Sequence, residues 1–123
     1  MSRVFYLGKR TRWLLGGMDG KALRFFILID ERKRNKSSLL HHEMLHIEQM
    51  KRIGTLKYAW RYFVQHWCGD STFRAEVETE AYMVGSKFSG PKTAYMLKTY
   101  YGISKFVAEE AVVKFIKTEG GEE

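Results

Sequence analysis

The stretch HHEMLHIEQM, His41 to Met50, places His42 and His46 four residues apart. On a helix that spacing stacks two imidazoles one turn apart on the same face. Two imidazoles so placed can bind one zinc ion, and Glu43, directly after the first, can reach a water held by that ion. His42-Glu43-x-x-His46 therefore satisfies a pattern whose chemistry is metal-assisted hydrolysis, with Glu43 as the base acting on water. His41 points about 100° away around the helix and is not expected at the metal. Gln49 continues the face of His42 and His46, where it can line the site or bond to a ligand.

A catalytic zinc needs a third protein ligand and a position left for water. The segment RAEVETEAYMVG offers Glu76, Glu78 and Glu80. On a helix Glu76 and Glu80 share a face, and Glu78 projects roughly the other way. Phe73, Val77, Ala81, Val84 and Phe88 form an apolar stripe between them, so only one side can meet the histidines. The residues by themselves leave open which side that is; carboxylates on the other side have Arg74 and Lys87 as ordinary partners. Tyr82, Tyr95, Tyr100, Tyr101 and His66 are all candidates to donate to negative charge that develops during hydrolysis.

The elements that must position these groups follow from patterning. RVFYLG, RWLLGG and ALRFFILID are strand candidates, with a hairpin turn at GMDGK. ERKRNKSS reads as a solvated basic loop. Ser37 and Ser38 are N-cap candidates for a metal helix that ends at Gly54. TLKYAWRYFVQHW follows as a second helix, and TFRAEVETEAYMVGSKF, capped by Asp70 or Ser71, as a third. Pro91 suits the first turn of a last helix, interrupted near Gly102. There Ala94, Leu97, Ile103, Phe106, Val107, Val113 and Ile116 are expected to face the core. The tail TEGGEE is expected to fray. The expectation is an α+β fold in one domain, 1–123, mostly β over 1–36 and mostly α over 37–118.

With 123 residues, 45% hydrophobic and 15% aromatic, the chain is a globular domain rather than a disordered segment. No apolar run is long enough for a membrane span. MSRVFYLGKRTR carries charges where a signal peptide needs apolar residues, and the lone Cys68 permits no internal disulfide. A cytoplasmic protein is therefore expected. The formal net charge of +7 raises the question of nucleic acid. TAYMLKTYYGISKFVAEEAVVKFI loosely resembles a helix-turn-helix. Its second helix, however, carries Glu109 and Glu110 and few basic side chains to meet phosphates, so DNA binding is the lesser alternative. A zinc-binding scaffold without activity is another, opposed by the presence of Glu43. The residues do not indicate an oligomeric state.

HEMLHIEQ together with ETEAYMVG resembles the gluzincin metallopeptidases, across roughly Phe25 to Phe88. The resemblance implies a zinc peptidase acting on a peptide or protein, with Glu43 as general base and a glutamate of a later helix as third ligand. In that family the glutamate often stands in a Glu-x-x-Ala-Asp pattern with a small residue soon after. Glu78, Ala81 and Gly85 match this spacing, which makes Glu78 the expected ligand beside His42 and His46. Tyr82 departs from the pattern: the family often has an Asp there that orients a ligand histidine. A second register takes Glu76 as ligand and Glu80 as its supporting acid. The family also places a strand before the metal helix whose exposed edge binds an extended peptide, and RFFILID stands in that place.

Overall fold

Alternation in FILID sends Ile27 and Ile29 to the same side of a strand, and that side covers the metal helix. In the computed structural model, which describes residues 3–16 and 18–118, Ile27 and Ile29 pack on Ile47, with Val4, Ala22, Leu39 and Leu40 around them. Residues 119–123, most of the tail expected to fray, and Gly17 of the expected turn lie outside the described residues. Strand β3 (Phe26–Asp30) is central. β1 (Arg3–Leu7) pairs with it in parallel, Val4 beside Ile27, and β2 (Gly20–Leu23) pairs antiparallel, Ala22 beside Ile27.

Two expectations about the sheet are corrected by this topology. ALRFFILID is not one strand but two, β2 and β3, which turn at Arg24–Phe25 and not at Asp19-Gly20. RWLLGG is a 3-10 helix, Arg12–Leu15, which buries Leu15. A third follows for the peptide-binding edge. Both edges of β3 are filled, so RFFILID presents none; among the described residues β1 and β2 are the edge strands, and β2 is the one beside Glu43. At the end of β3 the buried Asp30 accepts from the Arg32 side chain and backbone and pairs with Arg12. The hydrogen bonds from Arg32 hold its carboxyl well below the usual carboxylate range.

Helix α1 (Ser37–Ile53) carries the HHEMLH segment. Its N-cap position is Lys36; Ser37 and Ser38 lie inside the first turn and do not cap it. Next, α2 (Thr55–Ala59), a π-helical stretch Trp60–Val64 and α3 (Gln65–Trp67) run on as one helical segment. α4 (Thr72–Glu80) likewise passes into a π-helical stretch, Ala81–Gly85. Ser89 caps α5 (Gly90–Tyr100), with Pro91 in its first turn, and Ser104 caps α6 (Lys105–Ile116). The described residues thus form a small sheet followed by helices, an α+β fold.

The helical core joins Ala75, Tyr82, Leu97, Ile103, Ala108 and Ala111. On α6 the buried face is Ala108, Ala111 and Val112, small residues that let the helix approach its neighbours closely. Phe106, Val113 and Ile116, expected in the core, are exposed instead. A close approach of the same kind sets the metal helix. A Cβ on Gly85 would fall 2.8 Å from the His41 carbonyl oxygen and 2.9 Å from His42 Cα. Only a residue without a side chain lets the Ala81–Gly85 stretch lie against α1 at the histidines. Gly85→Ala should therefore lower stability by about 1–3 kcal/mol through overpacking against backbone, read from urea denaturation; an unchanged midpoint would mean that this contact is not tight.

Candidate metal centre

His42, Glu43, His46 and Gln49 occupy the buried face of α1, as their spacing requires. Opposite them α4 presents Glu78, also buried. Glu78 Oε1 lies 3.1 Å from His42 Nε2 and 3.1 Å from His46 Nε2, and the two Nε2 atoms are 3.2 Å apart. These three residues are the only group among the described residues with the arrangement of a metal-ligand cluster. Tetrahedral ligands at roughly 2.0–2.1 Å from a zinc ion stand about 3.3 Å from one another. The observed triangle matches one face of such a tetrahedron.

Hydrogen bonding around the triangle fixes which atoms face inward. Gln49 Nε2 donates to the Val77 carbonyl oxygen (2.9 Å) and to Glu80 Oε1 (2.8 Å), so Gln49 Oε1 must be the atom 3.0 Å from His46 Nδ1. That oxygen can only accept, so Nδ1 carries a hydrogen and Nε2 of the neutral ring presents a lone pair to Glu78. The Tyr58 hydroxyl stands against the same pair, 3.0 Å from His46 Nδ1. The Tyr62 hydroxyl donates to Glu78 Oε2 and leaves Oε1 for the histidines. Burial raises the pKa of both phenols, so both remain donors.

The electrostatics of the triangle favour positive charge between its three residues. Burial disfavours the charged form of Glu78, but His46 and His42 outweigh it and hold the carboxyl well below its usual range. Burial also disfavours protonation of His46, yet the Glu78 and Glu43 carboxylates raise it to about 9. A proton is thus drawn into the triangle, and a divalent cation bound by the same three atoms supplies the same positive charge. His42 departs from the usual pattern of support. Its Nδ1 is buried and has no hydrogen-bond partner among the described residues, while its ring lies on Tyr82 with centroids 4.2 Å apart. Among the described residues His42 is therefore held by packing rather than by a hydrogen bond to Nδ1.

Glu43 stays outside the triangle. Its carboxyl lies against β2, where a Cβ on Gly20 would come within 3.1 Å of Oε2. Burial raises its pKa above that of an ordinary glutamate. Glu43 and His42 line a cleft of about 420 Å³, with Met18, Leu39, Phe88, Met96 and the tyrosines Tyr82, Tyr100 and Tyr101 also on its walls.

The other candidates separate clearly. Glu76 pairs with Lys114 at 2.8 Å, and Glu80 pairs with Arg52 at 3.0 Å besides its bond to Gln49. Neither meets the histidines, so Glu78 is the glutamate in register. His66 bonds Ser71 Oγ, Tyr95 is exposed and His41 is exposed. Glu109 on α6 stands 3.9 Å from Lys98. Tyr58 and Tyr62 were not legible as part of the site. The signal available was their four-residue spacing, which sets both hydroxyls on one face of the second helical segment. No family model, no curated protein and no solved structure matches this chain.

If Tyr62 holds Glu78 as a ligand, Tyr62→Phe should weaken metal binding by roughly 10–100-fold, the range for removing a group that orients a ligand. Glu76→Gln should leave binding within experimental error. Competition with a chromogenic chelator measures both, and equal losses in the two variants would remove Tyr62 from the centre.

Proposed function

We propose that this protein is a zinc-dependent metallopeptidase of the gluzincin type, with His42, His46 and Glu78 as ligands and Glu43 as general base. The observation that carries the reading is the buried convergence of His42 Nε2, His46 Nε2 and Glu78 Oε1, with the free carboxyl of Glu43 beside it at the cleft. Two histidines and one carboxylate are the ligand set of open catalytic zinc sites. Imidazole and carboxylate donors without thiolate also suit other divalent metals, among which zinc is favoured by the His-Glu-x-x-His arrangement.

A zinc ion bound there would lower the pKa of a water toward neutrality and polarise a carbonyl. The chain's own residues then divide the remaining work. Glu43, made more basic by burial, takes the water proton and passes it to the leaving amine. Tyr62 and Gln49 keep Glu78 and His46 oriented. The apolar walls of the cleft, Leu39, Phe88 and Met96 among them, suit an apolar side chain of the substrate. The unpaired edge of β2, which runs past Glu43 at Gly20, is the place for an extended peptide to add as a strand. Tyr82 and Tyr101, whose hydroxyls are 3.1 Å apart, are phenols of the cleft itself and are the ones assigned to stabilising negative charge on the substrate oxygen.

Glu43→Gln separates this reading from a zinc scaffold. The variant keeps nearly the same shape and removes the base. Zinc content and melting temperature should stay at the wild-type values, and cleavage of a peptide library should fall by at least ~10²-fold. A variant that cleaves as fast as wild type would contradict the role of Glu43. A wild type that binds zinc fully and cleaves nothing across the library would favour the scaffold.

A further inference from the structure

The helical segment at residues 55–67 has two faces of opposite use. Its inner face sends Tyr58 and Tyr62 to the metal centre. Its outer face carries Leu56, Trp60, Phe63 and Trp67, which are 86, 60, 49 and 78% exposed. Spaced four, three and four residues apart, they are the exposed large apolar residues of a segment whose Tyr58 and Tyr62 turn inward, on either side of and within its π-helical stretch Trp60–Val64. Single exposed apolar residues are ordinary, but a stripe that includes two tryptophans marks a surface that docks.

The charges beside the stripe select the occupant. From Gln49 to Gly69 the chain contains Lys51, Arg52, Lys57 and Arg61 and no acidic residue. Lys51, Arg52 and Lys57 are exposed, Arg52 beside Glu80. Pairing of two such stripes from two copies would bring the cations together with no carboxylate supplied by either segment. An anionic surface meets them favourably, and tryptophans settle at the boundary between lipid headgroups and acyl chains. No helix among the described residues is long and apolar enough to cross a membrane; a helix lying in the interface plane does not need to be.

We propose that residues 55–67 dock the protein on an anionic lipid bilayer, with Leu56, Trp60, Phe63 and Trp67 at the acyl boundary and Lys57 at the headgroups. The proposal is independent of the reading of the metal centre.

Flotation of the full chain with vesicles tests it, using phosphatidylcholine alone and phosphatidylcholine mixed with phosphatidylglycerol, at low and high salt. Wild type should partition to the mixed vesicles roughly tenfold more than to the neutral ones, with a blue shift of tryptophan emission. Trp60→Ser combined with Trp67→Ser should cut that partitioning by roughly tenfold and abolish the shift, with Trp13 as the remaining reference fluorophore. Circular dichroism and thermal melting should match wild type. If the double variant does not fold, Leu56→Ser, at the most exposed position of the stripe, should lower partitioning several-fold. The proposal is overturned if wild type ignores the mixed vesicles. It is also overturned if the tryptophan variant binds them as well as wild type: release of both by high salt would assign the adsorption to net charge, and retention of both would assign it to another part of the surface. A wild-type dimer in sedimentation that the tryptophan variant converts to a monomer would assign the stripe to a second copy and overturn it too.

Discussion

Three atoms able to bind a metal, His42 Nε2, His46 Nε2 and Glu78 Oε1, face one another inside the protein at 3.1–3.2 Å. They need a proton or a cation between them. Nitrogen and oxygen acceptors buried at that distance repel unless a proton or a cation separates them, and water cannot screen them there. One proton can serve only one such contact at a time. A cation at the centre would serve all of them, so the triangle has the electrostatics as well as the shape of a group that could hold a metal ion.

The rest of the structure is arranged around that requirement. α1 supplies two candidate ligands through a one-turn spacing, and α4 supplies the third from across the interface. Gln49 fixes the hydrogen of His46 on Nδ1 because its own amide is committed to Val77 and Glu80. Tyr62 occupies the outer oxygen of Glu78. Gly85 and Gly20 matter for what they lack: the first brings the Ala81–Gly85 stretch onto α1 at His42, and the second leaves space for Glu43 beside β2. The Ala81–Gly85 and Trp60–Val64 stretches are both π-helical, a form that recurs at functional sites because it redirects side chains without ending a helix.

Much of the centre was legible in the sequence because ligand spacing and helix geometry are local. His42, Glu43, His46 and Gln49 could be placed on one face of a helix without knowing what lay opposite. The choice of Glu78 could not be made that way, since Glu76, Glu78 and Glu80 differ only in which helix is packed against each face. The sheet was harder to read for the same reason. A run such as ALRFFILID is apolar enough for one long strand, and only the pairing of Ala22 with Ile27 shows a hairpin within it. On α6, large apolar residues suggested a core face, whereas close packing with neighbouring helices selected the alanines. Tyr58 and Tyr62 belong to a segment rich in aromatics, where spacing could not separate inward phenols from outward tryptophans.

The central claim is that this triangle binds a divalent metal through three named atoms. Crystals grown with zinc and measured on both sides of the zinc absorption edge test it most directly. The account predicts a single strong anomalous peak bonded to His42 Nε2, His46 Nε2 and a Glu78 oxygen, with a fourth position open toward Glu43. An anomalous map with no peak at the triangle, or with the peak held by Glu76 or Glu80 in place of Glu78, would contradict it.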